Sequence, residues 1–120
     1  MEKWFFIVES NCTDYAREAE FNEWYDEIDL PDVLKTAGFV KVTRYACETD
    51  LNQRYDRIDT QAGKGKYLAL YEIETDDIDG VMKALDKGVD KMRDRGRLTD
   101  LISVVSRRLY KQVGFLANYN

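Results

Sequence analysis

The chain has 120 residues, is 44% hydrophobic, 12% aromatic and 34% charged, and carries a formal net charge of −5. That length predicts one domain over 1–120 with a modest core. The acidic balance argues against a general binder of nucleic-acid phosphates, which needs clustered Lys and Arg, and no apolar run approaches the roughly 20 residues of a membrane helix.

Trp4, Phe5, Phe6, Ile7 and Val8 are β-formers in a run too short for a helix, so a first strand is expected over 3–10, in preference to a signal segment. Asn11-Cys12-Thr13-Asp14 supplies turn and N-cap chemistry. A helix is predicted from Asp14 to Ile28, with Phe21, Trp24, Tyr25 and Ile28 along one face and Glu20, Glu23, Asp26 and Glu27 on the other. Pro31 cannot sit in a helix interior, so a break is expected at Asp29, followed by a short helical piece over Leu30–Thr36 that Gly38 ends. A second strand follows from Phe39 to Thr49.

Residues 50–66 are polar and glycine-bearing and read as a long hairpin loop or a lid. Tyr67-Leu68-Ala69-Leu70-Tyr71-Glu72-Ile73 is a third strand. Ile78, Val81, Met82, Leu85, Val89 and Met92 keep a 3.6-residue period for a second long helix, which Gly96 stops. The last strand is expected over Leu101–Val113, with Ile102, Val104 and Tyr110 opposed to Ser103, Arg107 and Lys111. The order β-α-β-β-α-β predicts an α+β, ferredoxin-like fold: a four-stranded antiparallel sheet with both helices on one face. The other face then carries bulky groups in the opposite register and would be left open. Pairing of two copies through that face, as a homodimer forming an eight-stranded barrel, covers it.

Phe21-x-x-Trp24-Tyr25-Asp26-Glu27-Ile28-x-Leu30-Pro31-Asp32-Val33-Leu34, then Gly38-Phe39-Val40, Arg44-Tyr45 and Tyr67-Leu68-Ala69-Leu70-Tyr71-Glu72, resembles the dimeric α+β barrel superfamily over about residues 3–112. Within it the chain is most similar to small EthD-like and stress-responsive A/B barrel proteins. The resemblance implies a barrel that binds a small apolar or aromatic metabolite. It also implies cofactor-independent cyclisation, isomerisation or oxygenation as candidate chemistry. A non-catalytic binding or assembly module with a packed barrel is the alternative.

Relatives in that superfamily often carry histidine where Asp29 stands, and this chain has none anywhere. Ser-His and Cys-His pairs, His-ligated zinc and proximal-His haem are thereby excluded. Proton transfer would fall to carboxylate and tyrosine. Asp29 is the candidate base if desolvation raises its pKa; as a cap for the helical piece after it, it would be structural. Tyr25 and Tyr71 are candidate donors to a developing oxyanion, with plain core packing as the other reading. Trp24, Tyr45 and Tyr67 are candidate binding residues, although aromatics in strands and on a helix face are more often core.

Arg44 and Glu72 are charges inside strands, read either as a buried pair or as ligand contacts, with Arg44 orienting an anionic group. Cys12 and Cys47 lack metal spacing and a basic neighbour, and read as reduced thiols of a cytoplasmic protein. Gly63-Lys64-Gly65 lacks the context of a phosphate loop and reads as a turn. No metal ion, cofactor, membrane or nucleic-acid partner is expected.

Overall fold

A computed structural model describes residues 1–51 and 65–118. The element order is β1 (Glu2–Cys12), a 3-10 turn (Tyr15–Arg17), α1 (Glu18–Trp24), a π-helical turn (Tyr25–Asp29), α2 (Leu30–Leu34), β2 (Phe39–Ala46), β3 (Tyr67–Thr75), α3 (Ile78–Asp94) and β4 (Ile102–Lys111). The strands form one antiparallel sheet in the order β2-β3-β1-β4. This is the ferredoxin-like α+β arrangement. Each helical connection joins two strands that run in the same direction, with a third, antiparallel strand lying between them. The expected loop or lid over 50–66 lies almost entirely outside the described residues.

Alternation along the two central strands sorts the core. Phe6, Val8, Ser10 and Cys12 of β1 are buried together with Tyr67, Ala69, Tyr71 and Ile73 of β3. On this face they meet Phe21, Tyr25 and Val33 from the first helical segment and Val81 and Leu85 from α3. Asp77 caps α3, accepting from the Gly80 N–H at 3.0 Å. Gly38 and Gly96 take φ values of +96° and +68° after their helices, as left-handed C-terminal positions favour.

Two bulges adjust the edges. One at Val40 keeps Phe39, Val42 and Arg44 on the helix side of β2. The other, opposite Glu9 and Ser10, inserts Val105 into β4. It places Ile102, Val104, Arg107 and Leu109 on the helix side and Arg108 and Tyr110 on the open side. Simple alternation had grouped Tyr110 with Ile102 and Val104, and had set Arg107 apart from them. One extra residue reverses the facing of everything after it.

The expected break at Asp29 is also corrected. The chain stays helical through it, at φ −65° and ψ −54°. Pro31 has no N–H to donate, and the backbone answers by widening the preceding turn: the Leu30 N–H bonds the Tyr25 carbonyl, five residues back.

Candidate active site

A cleft of about 390 Å³ opens between the helices and the sheet. The π turn shapes one wall. A wider turn advances fewer degrees per residue than an α-turn, so Asp29 stays close to the column of Tyr25 and enters the cleft. Its side chain makes no capping bond to α2, so the capping role is not the one it adopts. Instead Tyr71 of β3 donates to Asp29 Oδ2 at 3.4 Å.

Burial pushes the Asp29 carboxyl from an ordinary value near 3.8 up to about 6. The bond from Tyr71 pulls the other way, the charge of Asp32 adds to the rise, and Arg44 opposes it. Burial likewise pushes the Tyr25 phenol up to about 12, helped by the negative charge of Asp29. Tyr71 is raised further, by burial first and then by Tyr25 and Asp29. Near neutral pH the group is therefore one carboxylate beside two protonated phenols. It has one acceptor for a proton and two donors for an oxyanion.

The rest of the cleft is lined mostly by apolar side chains, with Asp86, Asp90, Arg93 and Arg107 as its other charged groups. Trp24 lines it while its indole N–H donates to the Arg97 carbonyl at 2.8 Å, which fixes the ring. Phe6 lies between two features: its ring centroid is 5.5 Å from that of Tyr71, and the Arg107 guanidinium sits 5.4 Å from it on β4. Arg107 has no carboxylate partner among the described residues. A cation thus faces the cleft from the sheet, across one aromatic ring from the carboxylate and phenols.

Four sequence candidates, Trp24, Tyr25, Asp29 and Tyr71, come together in this cleft. The others sit elsewhere. Arg44 is held over the Tyr25 ring at 4.3 Å and bonded to Asn22 Oδ1 at 2.8 Å and Asp26 Oδ1 at 2.9 Å, outside the cleft lining. The Arg44–Glu72 pair does not form, because Glu72 points to the open face, 4.0 Å from Lys41. Tyr67 is buried against Phe21, with ring centroids 5.4 Å apart, and its hydroxyl donates to Glu18. Tyr45 shares the open face with its strand partner Leu68 and is half exposed. Arg107 and Phe6 had not been assigned to the site. For Arg107 the only sequence signal is a charge inside a strand, and its facing depended on the bulge.

No family model and no curated protein matches the sequence. Solved structures do match its fold. HapK from Hahella chejuensis is 14% identical, with a TM-score of 0.58 over 98% of this chain and 99% of that one. SnoaB, a cofactor-independent oxygenase from Streptomyces nogalater, is 14% identical, with a TM-score of 0.57 over 98% of this chain and 100% of that one. The ActVA-Orf6 monooxygenase of Streptomyces coelicolor, in complex with nanaomycin D, is 13% identical, with a TM-score of 0.57 over 98% and 94%. The chain therefore shares the ferredoxin-like α+β fold of these structures.

Proposed function

We propose that the chain forms a homodimer that binds an aromatic or polyketide-like metabolite and acts on it by cofactor-independent proton transfer, as a cyclase, isomerase or monooxygenase. One observation carries this reading: Asp29, with a pKa near 6, shares an apolar cleft with two protonated phenols. A carboxylate poised close to neutral pH suits a general base.

A ligand with an acidic C–H or O–H would lie against Phe6 and Trp24. Asp29 takes the proton. Tyr71 turns its hydroxyl from Asp29 toward the oxygen where charge gathers, with Tyr25 as the second donor. Arg107 attracts an anionic substituent from across the Phe6 ring. The enolate or phenolate so formed is common to all three reaction types. It attacks an internal electrophile in cyclisation and takes the proton back at another carbon in isomerisation. In monooxygenation it is itself oxidised by dioxygen as co-substrate, one oxygen atom staying in the product and the other leaving as water. The oxygenase and monooxygenase activities named for SnoaB and ActVA-Orf6 support the choice of reaction, and the nanaomycin D held by the latter supports the choice of ligand class.

Dimerisation rests on the open sheet face. Phe5, Tyr45 and Tyr110 are each about half exposed there, beside Ile7, Leu68 and Leu70. An apolar sheet of that kind calls for a partner, and a second copy fits it best. The free thiols Cys12 and Cys47 agree with a reducing, cytoplasmic setting.

The test is solvent-deuterium exchange into a 1,3-dicarbonyl or dihydroxynaphthalene probe, followed by NMR. The native protein should accelerate exchange, and Asp29→Asn should abolish it while the dimer persists. Undiminished exchange in that variant would remove Asp29 from the mechanism.

A further inference from the structure

A second concavity, of about 820 Å³, lies on the outer side of the helix layer between α2 and α3. Five cations line it, Lys35, Lys87, Lys91, Arg95 and Arg97, against one carboxylate, Asp32. That carboxylate is already engaged: Arg97 bonds both its oxygens, at 2.6 and 3.1 Å, and Lys35 stands 3.8 Å away. Lys87 and Lys91 have no carboxylate partner among the described residues. In a chain with a net charge of −5, this is a local reversal of sign.

The pattern on α3 explains how it arises. Lys83, Lys87, Lys91 and Arg95 follow one another every fourth residue, while Asp86, Asp90 and Asp94 form a separate column beside them. Like charges at that spacing repel, at about 0.2–0.5 kcal/mol per pair, and the opposite charges three residues apart (Lys83 and Asp86, Lys87 and Asp90, Lys91 and Asp94) offset part of that. The segregation puts Lys87, Lys91 and Arg95 on the groove and turns Asp86 and Asp90 toward the cleft.

We infer that this groove is the docking surface for an acidic helix on a partner protein. The cations from Lys87 to Arg95 span about 12 Å of helix rise, so they match carboxylates repeating at four-residue spacing on a facing helix. The floor permits close approach: Ala84 and Gly88 are small, and a Cβ at Gly88 would meet nothing within 4 Å. A single small anion fits less well, because the cations are spread out and Lys35 is 79% exposed. A nucleic-acid duplex would bring its phosphates against the neighbouring aspartate column.

The experiment is an NMR titration of the ¹⁵N-labelled full chain with an alanine-based helical peptide carrying Glu every fourth residue. Amides over 84–97 should shift, the cleft amides of Tyr25 and Tyr71 should not, and affinity should fall by about tenfold or more between ~0.01 and ~0.15 M salt. Lys87→Glu/Lys91→Glu should weaken binding by about tenfold or more. The inference is overturned if the peptide with Gln in place of Glu binds equally, or if no amide of 84–97 moves. It is also overturned if, at constant ionic strength, inorganic phosphate or duplex RNA displaces the acidic peptide. None of these outcomes bears on proton transfer in the cleft.

Discussion

Tyr71, in the middle of β3, donates a hydrogen bond to Oδ2 of Asp29, 3.4 Å away in the π turn. The bond joins the central sheet to the π turn of the first helical segment. It also ties the protonation of the carboxyl to a phenol that burial keeps neutral. Stability, pH response and chemistry therefore meet at the same pair.

Stability should fall as pH rises through the Asp29 titration. The folded carboxyl sits at about 6 and an unfolded one near 3.8, so the folded state holds the proton more tightly. The benefit is full below about pH 4 and lost above about pH 6, a difference on the order of 3 kcal/mol as an upper bound. In urea unfolding, Asp29→Asn should thus be more stable than the native chain at pH 8 and close to it near pH 4. A native chain less stable than the variant at both pH values would contradict this account.

Turnover of an acidic probe should rise with pH along a limb near 6, where Asp29 loses its proton. Tyr71→Phe keeps the ring but removes the donor that favours the carboxylate. The limb should then move upward by about one pH unit, the equivalent of a hydrogen bond to a charged group worth about 1.4 kcal/mol. A limb that stays in place would mean that Tyr71 does not act on Asp29 in solution.

Leu70→Glu places a charge on the open face of β3, opposite the buried core face. Sedimentation should show the native chain as a dimer and the variant as a monomer at micromolar concentration. Far-UV circular dichroism should be unchanged, since strand-surface substitutions cost on the order of 1 kcal/mol. A variant that still sediments as a dimer would place the interface elsewhere.

The two arginines should separate into structure and binding. Arg44 stacks on the buried Tyr25 ring and bonds Asn22 and Asp26, so Arg44→Ala should lower stability by about 1–3 kcal/mol. Arg107 reaches the cleft edge with only the Phe6 ring beneath it among the described residues. Arg107→Gln should leave the urea midpoint nearly unchanged and weaken an aromatic carboxylate ligand by about tenfold or more, read by fluorescence titration of Trp24.

The elements and their order were legible because periodicity is local: two-residue alternation in β1 and β3 and the 3.6-residue period of α3 act through nearest neighbours in the chain. Phe21 and Tyr25 announced a packing face, and Gly38 and Gly96 announced helix ends. Trp24, Tyr25, Asp29 and Tyr71 were also visible as candidates from their residue types and positions. Their meeting in one cleft was not, since Tyr71 comes 42 residues after Asp29 and their hydrogen bond forms only once β3 packs beneath the π turn.

Three features rested on the tertiary structure alone. The π turn at Tyr25–Asp29 resolves a conflict between Pro31 and helix continuity, and packing on the sheet favours continuity over the break that local rules predict. The bulge at Val105 turns Arg107 inward and Tyr110 outward, an outcome set by the register against β1 and invisible in β4 itself. Arg44 and Glu72, two strand charges that invite pairing on paper, end on opposite faces because the pleat separates them. Local patterning was enough to specify which segments fold and which faces are apolar. The tertiary structure decided which polar groups share the cleft, because each of those contacts depends on register and packing between segments far apart in the chain.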